Sequence, residues 1–290
     1  MTKTSLKDNR QLREQMYEYL DDCYGGAIAP SWSIQQMLDT AYSFKEAEKH
    51  YKELKNYITV KEESKILDVG SGFGYFVSYC LAQGHDTHGY EIDKRLIEIG
   101  NQLLTLNKQN PQKIKFVKTK KLPFKDNSFD LIYLHFILDC VQDIPFLMKE
   151  LKRILKKDGV IFTISPNYLC GYSPVYALFF IPWLPRVINR MYFKLMGRPS
   201  SKFFDGLNFV TPRSLEKIFQ DLDLKVNNVG IKYWENMVTG KQLANRSNTL
   251  KKLVKVANQT GTVYFLKLSA KAGFYTPLVY SLSKDKAQEK

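Results

Sequence analysis

An apolar run, Ile66-Leu67-Asp68-Val69, leads directly into Gly70-Ser71-Gly72-Phe73-Gly74, and no other stretch restricts the fold as strongly. Glycine is needed where a backbone turns sharply or approaches a ligand closely. A helical pattern follows, and a second apolar run closes on Glu91, 21 residues after Gly70. Strand, glycine loop, helix and strand in that order read as a βαβ unit whose open end lodges a ligand. The glycines are spaced G-x-G-x-G. Tyr75 stands where a dinucleotide fold needs its third glycine, which lets the helix pack close behind a pyrophosphate. Asp68 places a negative charge beside the loop, which suits a ligand with an amino group and suits a pyrophosphate badly. Glu91 can accept from both hydroxyls of a ribose, at roughly 1.5–3 kcal/mol per bond to a charged acceptor.

These residues resemble motif I and the acidic strand-2 residue of the class I S-adenosylmethionine (SAM) dependent methyltransferases. The order of later elements is similar to that family's too. Residues 114–119 read as a third strand, and Leu122-Pro-Phe-Lys-Asp-Asn-Ser-Phe-Asp130 matches the segment leading into strand 4, expected at 131–135. A helix is expected over 141–155, then a turn at Lys157-Asp158-Gly159, then strand 5 over 160–165. The resemblance implies a doubly wound, Rossmann-like α/β sheet of seven strands, SAM as cofactor, and a cofactor set of Asp68, Gly70, Ser71, Gly72, Phe73, Gly74, Glu91, Ile92, Thr119, Lys120, Leu122 and His135. Two positions depart from the pattern. Many relatives carry an aspartate for the adenine amino group where this chain reads Lys118-Thr119-Lys120-Lys121. The histidine common after strand 4 is replaced in Leu138-Asp139-Cys140-Val141, although His135 lies five residues before Cys140.

Around this core, residues 1–60 read as a helical cap, 61–166 as the SAM-binding core, 167–210 as a helical insertion after strand 5, 211–284 as the rest of the fold and 285–290 as a tail. The cap is expected either to fold over the cofactor pocket or to be purely structural. Thr211-Pro212 opens a capped helix, strand 6 is expected at 224–231, and 241–257 reads as a basic helix. Strand 7 is placed at 277–283, with 263–268 as the alternative.

The insertion is unusual in composition. It joins an aromatic run (Tyr172, Tyr176, Phe179, Phe180, Ile181, Trp183, Leu184) to a helix opened by Pro185 in which Arg186, Arg190, Lys194 and Arg198 recur every four residues. Leu184, Ile188, Met191, Tyr192, Leu195 and Met196 are expected on the opposite side. A basic amphipathic helix beside aromatic residues suits a membrane interface, a lid packed on the sheet, or an oligomer interface. Gly171-Tyr172, Pro182-Trp183-Leu184-Pro185-Arg186 and Gly197-Arg198-Pro199 are loosely similar to methyltransferases of bacterial surface-polysaccharide gene clusters.

The formal net charge is +14, carried mostly outside the cofactor-binding half. Such a balance implies an anionic partner, nucleic acid or membrane. No stretch reaches the ~20 apolar residues that cross a bilayer. Cys23, Cys80, Cys140 and Cys170 show neither metal-ligand spacing nor a disulfide pattern, so no metal is expected, and a reducing cytoplasm, with peripheral contact at the inner membrane face, fits.

Methyl transfer from a sulfonium needs chiefly positioning, and a base only where the acceptor group is protonated. His135, at the mouth of strand 4, is the candidate base, with a satisfied polar residue as the plainer reading. Asp139 is the second catalytic candidate, orienting His135 or capping the next helix. Tyr168, Tyr172 and Tyr176 are candidates to line an acceptor pocket or simply to pack. The reading is therefore a methyltransferase for a small or lipid-associated acceptor at a hydroxyl, a polyprenyl-linked sugar or a quinone-like ring. An RNA methyltransferase is the alternative within enzymes, disfavoured by the absence of an N-P-P-Y-like motif after strand 4. A non-catalytic, methyltransferase-like scaffold at the membrane, binding SAM or nothing, is the other.

Overall fold

A computed structural model describes residues 8–24, 33–117, 121–173, 178–179, 184–197, 206–240 and 248–284. Thr119, Lys120, Arg198 and most of the aromatic run at 174–183 lie outside the described residues. A cap of three helices, α1 (Arg10–Tyr24), α2 (Ile34–Thr40) and α3 (Phe44–Lys55), precedes a seven-stranded sheet in the order β3-β2-β1-β4-β5-β9-β8. The strands are β1 (Lys65–Val69), β2 (Asp86–Glu91), β3 (Ile114–Phe116), β4 (Phe129–His135), β5 (Leu155–Ser165), β8 (Leu224–Asn228) and β9 (Leu278–Lys284). A two-residue pair, β6 (Tyr172–Ser173) with β7 (Leu178–Phe179), stands apart. β1 to β5 pair in parallel, and β9 inserts antiparallel between β5 and β8. The doubly wound architecture is as expected. Strand 7 is β9, and the alternative at 263–268 falls in a helix.

Helices α4 (Tyr75–Ala82), α5 (Lys94–Leu106) and α6 (Ile144–Ile154) fill the crossovers. Starts follow from capping: Asp93 caps α5, and Asp143 caps α6 by accepting from the Phe146 N–H at 2.9 Å. α6 therefore begins at 144, three residues later than the apolar spacing alone implies. β5 begins at Leu155 because Lys157-Asp158-Gly159 makes no turn. It is absorbed as an irregularity in the β4–β5 ladder, where a Cβ on Gly159 would lie 2.8 Å from Leu155 and 2.9 Å from the Phe129 carbonyl. β3 stops at Phe116, earlier than expected. β8 stops at Asn228, whose Oδ1 accepts from the Gly230 N–H at 3.2 Å and helps start α9 (Gly230–Val238) where the sequence suggested more strand.

Both faces of the sheet are buried. One cluster joins Leu67, Val69, Ile132 and Leu134 to α6 and to α8 (Pro212–Asp221). The opposite face joins Ile66, Leu131, Tyr133 and Phe162 to Phe76 of α4 and to Tyr51 and Leu54 of α3. The cap is thus part of the core on the α4 side.

Helix α7 (Arg186–Leu195) differs from expectation in which side it buries. Asn189 and Phe193 are buried, and Arg186 donates to the Leu207 carbonyl at 2.5 Å with its guanidinium over Phe209. Val187, Ile188, Met191, Leu195 and Met196 are exposed, Leu195 by 84%. A large aromatic, Phe193, wins the core position, and the smaller apolar residues turn outward. Helices α10 (Asn248–Gln259) and α11 (Thr262–Lys271) follow, docked on α9 through Trp234 Nε1 to the Leu266 carbonyl and Asn258 Nδ2 to the Val238 carbonyl. Leu253, Val256, Tyr264, Phe265 and Leu268 on this pair are exposed. No described helix is long and apolar enough to cross a membrane.

Candidate functional site

The site is built at the carboxyl ends of β1, β2 and β4. Gly70, Gly72 and Gly74 all have positive φ (71°, 53° and 79°), a region open to glycine and strained for other residues. Their surroundings separate their tasks. A Cβ on Gly70 would stand 2.2 Å from Ile137 Cδ1, and one on Gly74 would stand 2.6 Å from Ile114 Cδ1, so both are closed by packing. A Cβ on Gly72 would meet nothing within 4 Å. Its open side borders the space a ligand would enter. Gly89 also matters, since a Cβ there would press on Ser71 Oγ at 2.7 Å and push the loop off β2.

Asp68 is 4% exposed, and the described residues give it neither a cation nor a donor. Burial, and then the nearby Glu91, raise its carboxyl to about 8. Glu91 is also raised by burial, against the pull of three backbone donors. Its Oε2 accepts from Gly72 N–H at 3.0 Å and its Oε1 from Ile92 N–H at 2.7 Å and Asp93 N–H at 3.3 Å. The carboxylate is thereby locked to the glycine loop, with a lone pair left on Oε2. The Ser71 hydroxyl is buried without a partner among the described residues. Ile92 is 64% exposed, and Phe116, the register partner of Glu91, is 41% exposed with Lys94 Nζ 5.6 Å from its ring centre. An uncompensated buried acid, an acceptor ridge and a flanking apolar surface fit a molecule with an ammonium, a vicinal diol and a flat base. SAM has all three.

Leu122 is placed differently from its expected role. It is buried in the core, its N–H donates to Glu150 at 2.9 Å and its carbonyl accepts from Arg153 at 3.0 Å, so it has no donor left for an adenine. Phe73 is also buried, held edge-on by Tyr19 of α1 at 5.7 Å and by Tyr42 at 5.0 Å. The Tyr75 hydroxyl donates to Asp8 at 2.8 Å. The cap therefore clamps the glycine loop from two sides.

His135 projects from the same face of the sheet as Asp68 and Tyr133, because Asp68 pairs in register with Tyr133. Its ring lies parallel to Tyr133 at 5.9 Å and edge-on to Phe136 at 4.7 Å. It also meets His50 of α3, with ring centres 4.1 Å apart. Burial, then His50 and Lys49, hold its pKa well below the ordinary histidine value. Phe136 has φ 54°, an unusual conformation for an aromatic residue, and its ring is 38% exposed at the mouth of the site. Asp139 neither touches His135 nor caps α6. It is buried, accepts from the Tyr168 hydroxyl at 3.1 Å, and is raised to about 6 by burial against that bond. The sequence reading missed His50, Phe116, Phe136 and Gly89. A histidine in a helical cap has no local signal, since its partner is 85 residues away.

Residues 42–229 match a family model described as a methyltransferase domain. A demethylmenaquinone methyltransferase of Staphylococcus aureus (strain MRSA252) is 23% identical over 227 residues, covering 75% of this chain and 88% of the relative. The enzyme of that name from Staphylococcus saprophyticus is 25% identical over 219 residues, covering 74% and 89%. The fold is similar to geranyl diphosphate C-methyltransferase of Streptomyces coelicolor A3(2), solved with Mg2+, geranyl diphosphate and S-adenosyl-L-homocysteine, with a TM-score of 0.52, 13% identity and coverage of 96% and 100%. With a seven-stranded sheet, a carboxylate-flanked glycine loop and this match over most of its length, the chain belongs to the family of SAM-dependent methyltransferases.

Proposed function

We propose that this enzyme methylates a hydroxylated, ring-bearing acceptor of lipid character, with Asp68 and Glu91 holding the cofactor and His135 taking the acceptor's proton. The observation that carries the reading is the shared sheet face of Asp68 and His135. It supports a cofactor ammonium held at Asp68 and a base at His135, near the ends of adjacent strands. When bound, SAM supplies a methyl group on a sulfonium, whose sulfur leaves as a neutral thioether with the electrons of the broken bond. Asp68, on giving up its proton, would pair with the ammonium, and Glu91 would accept from the ribose hydroxyls while keeping its bond from Gly72. Ile92 and Phe116 offer apolar surface to the base. His135, resting neutral, takes the hydroxyl proton as the acceptor oxygen gains its methyl group, then returns that proton to water. Phe136 offers a face for an acceptor ring.

The lipid character is supported by the names of the sequence relatives and by the surface. Helix α7 exposes Val187, Ile188, Met191 and Leu195 beside Arg190 and Lys194, and residues 248–271 expose a second apolar set among five lysines and no acid. A second copy of the chain would bring lysine against lysine on this surface, whereas an anionic bilayer complements it, at roughly 1 kcal/mol per cation near the surface.

The test is transfer of labelled methyl from SAM to detergent-extracted quinol, polyprenyl-sugar and total RNA fractions. Label in a lipid-phase product, lost with His135→Gln at an unchanged SAM affinity, is the expected result. Label in RNA alone would overturn the acceptor assignment, and equal turnover by His135→Gln would remove the base.

A further inference from the structure

Helix α3 belongs to the cap, yet it delivers a second imidazole to the candidate base. We infer that His50 is the positioning residue for His135: laid on it by α3 and tethered to Glu46, it keeps the base ring fixed in orientation and free of a proton. This inference rests on the reading of His135 as the base.

The ring centres are 4.1 Å apart with planes tilted by 48°, so one imidazole covers the other. His50 Nε2 is 3.2 Å from Glu46 Oε1, an oxygen that also accepts from Lys49 Nζ at 2.6 Å. Glu46 is opposed by its own burial, but bonds to His50 and Lys49 outweigh this and lower it to about 2, so it is an anion at any working pH. His50 is therefore held at its far edge, one helical turn from its anchor, and its side chain is 15% exposed. On the sheet side, Tyr133 backs His135, and Phe136 blocks its other edge.

The charged and titratable groups facing His135 are few. From α3, His50 and Lys49 act on His135 itself; Asp68 of β1, Glu53 and Glu46 of α3 and Cys80 of α4 act on the Tyr133 hydroxyl behind it, which is buried without a partner among the described residues. Two imidazolium ions in van der Waals contact repel strongly in a partly buried site. The anion of Glu46 lies beside His50, not His135. His50 and Lys49 on the cap side oppose a charge on His135, the ring that faces the cofactor end of the sheet.

Imidazole resonances of the ligand-free enzyme, followed by NMR against pH, test the ring pair without requiring turnover. The His135 midpoint should lie below 6.5 in the parent and move up by half a unit or more in His50→Phe, which keeps a ring but no charge. The acidic limb of kcat/KM should move up with it, kcat should fall about tenfold, and KM for the acceptor should hardly change. His50→Gln provides a second, smaller replacement should the phenylalanine disturb packing, with folding of both checked by circular dichroism. An unmoved His135 midpoint in folded variants would overturn the inference. Full activity of His135→Gln would instead remove the base reading, a separate result that the NMR midpoint does not decide.

Discussion

Asp68 is buried, has neither a cation nor a donor among the described residues and has a carboxyl raised to about 8, so cofactor binding at neutral pH should expel a proton. With its carboxyl raised the ligand-free site is mostly protonated at pH 7, and pairing with an ammonium requires the anion. Release should approach one proton per SAM bound at pH 7 and vanish above pH 9. Affinity should weaken about tenfold for each pH unit below 8, since each unit represents 1.36 kcal/mol. The same shift acts on stability with a definite sign. The unfolded chain ionises this group near 3.8, so between 3.8 and 8 the folded state binds more protons than the unfolded one. Stability of the ligand-free protein should fall as pH rises through that window, by on the order of 4 kcal/mol at pH 7. Asp68→Asn removes the buried acid, so it should raise the melting temperature of the ligand-free enzyme while weakening SAM binding by roughly 10–150-fold, the value of one charge-assisted bond. Calorimetric titration in buffers of different ionisation enthalpy measures the proton count directly. A binding enthalpy independent of buffer at pH 7, or an Asp68→Asn enzyme that binds SAM as tightly as the parent, would refute the reasoning.

The glycines of the loop should fail in different ways. Gly70→Ala forces a Cβ into Ile137 and should unfold or strongly destabilise the protein, with partial rescue by Ile137→Ala, whereas Gly72→Ala should fold at a loss of about 1 kcal/mol and lose SAM affinity, as thermal melts with and without SAM will show. Phe136→Gly relieves a left-handed backbone and should stabilise the protein by up to about 1 kcal/mol in urea melts, yet raise KM for the acceptor because the exposed ring is gone. Flotation on anionic vesicles should be weakened by Leu195→Glu together with Phe265→Glu and by raised salt, and flotation on neutral vesicles should be weak throughout; equal flotation of parent and variant would remove the membrane surface.

Much of the framework was legible because it is encoded by neighbours in the chain. Strand β1, the three glycines and Glu91 are a local pattern, and backbone conformation at Gly70, Gly72 and Gly74 depends on those residues themselves. Asp143 and Thr211 set helix starts through side chains three residues away. Strand ends differ from the expected ones where further contacts act: Gly159 lies against the distant Phe129, and Gly230, bonded to Asn228, lies also against the distant Val279.

By itself the sequence determined the fold class and the cofactor loop, since period, turn chemistry and glycine placement are short-range properties. Only the tertiary structure decided that α3 brings His50 onto His135, that Asp139 turns to Tyr168, that Leu122 is core and that α7 buries Phe193 while exposing its aliphatic residues. Each of these is a choice among competing long-range partners, and burial selects the partner that fills space best, a quantity that no window of the chain contains.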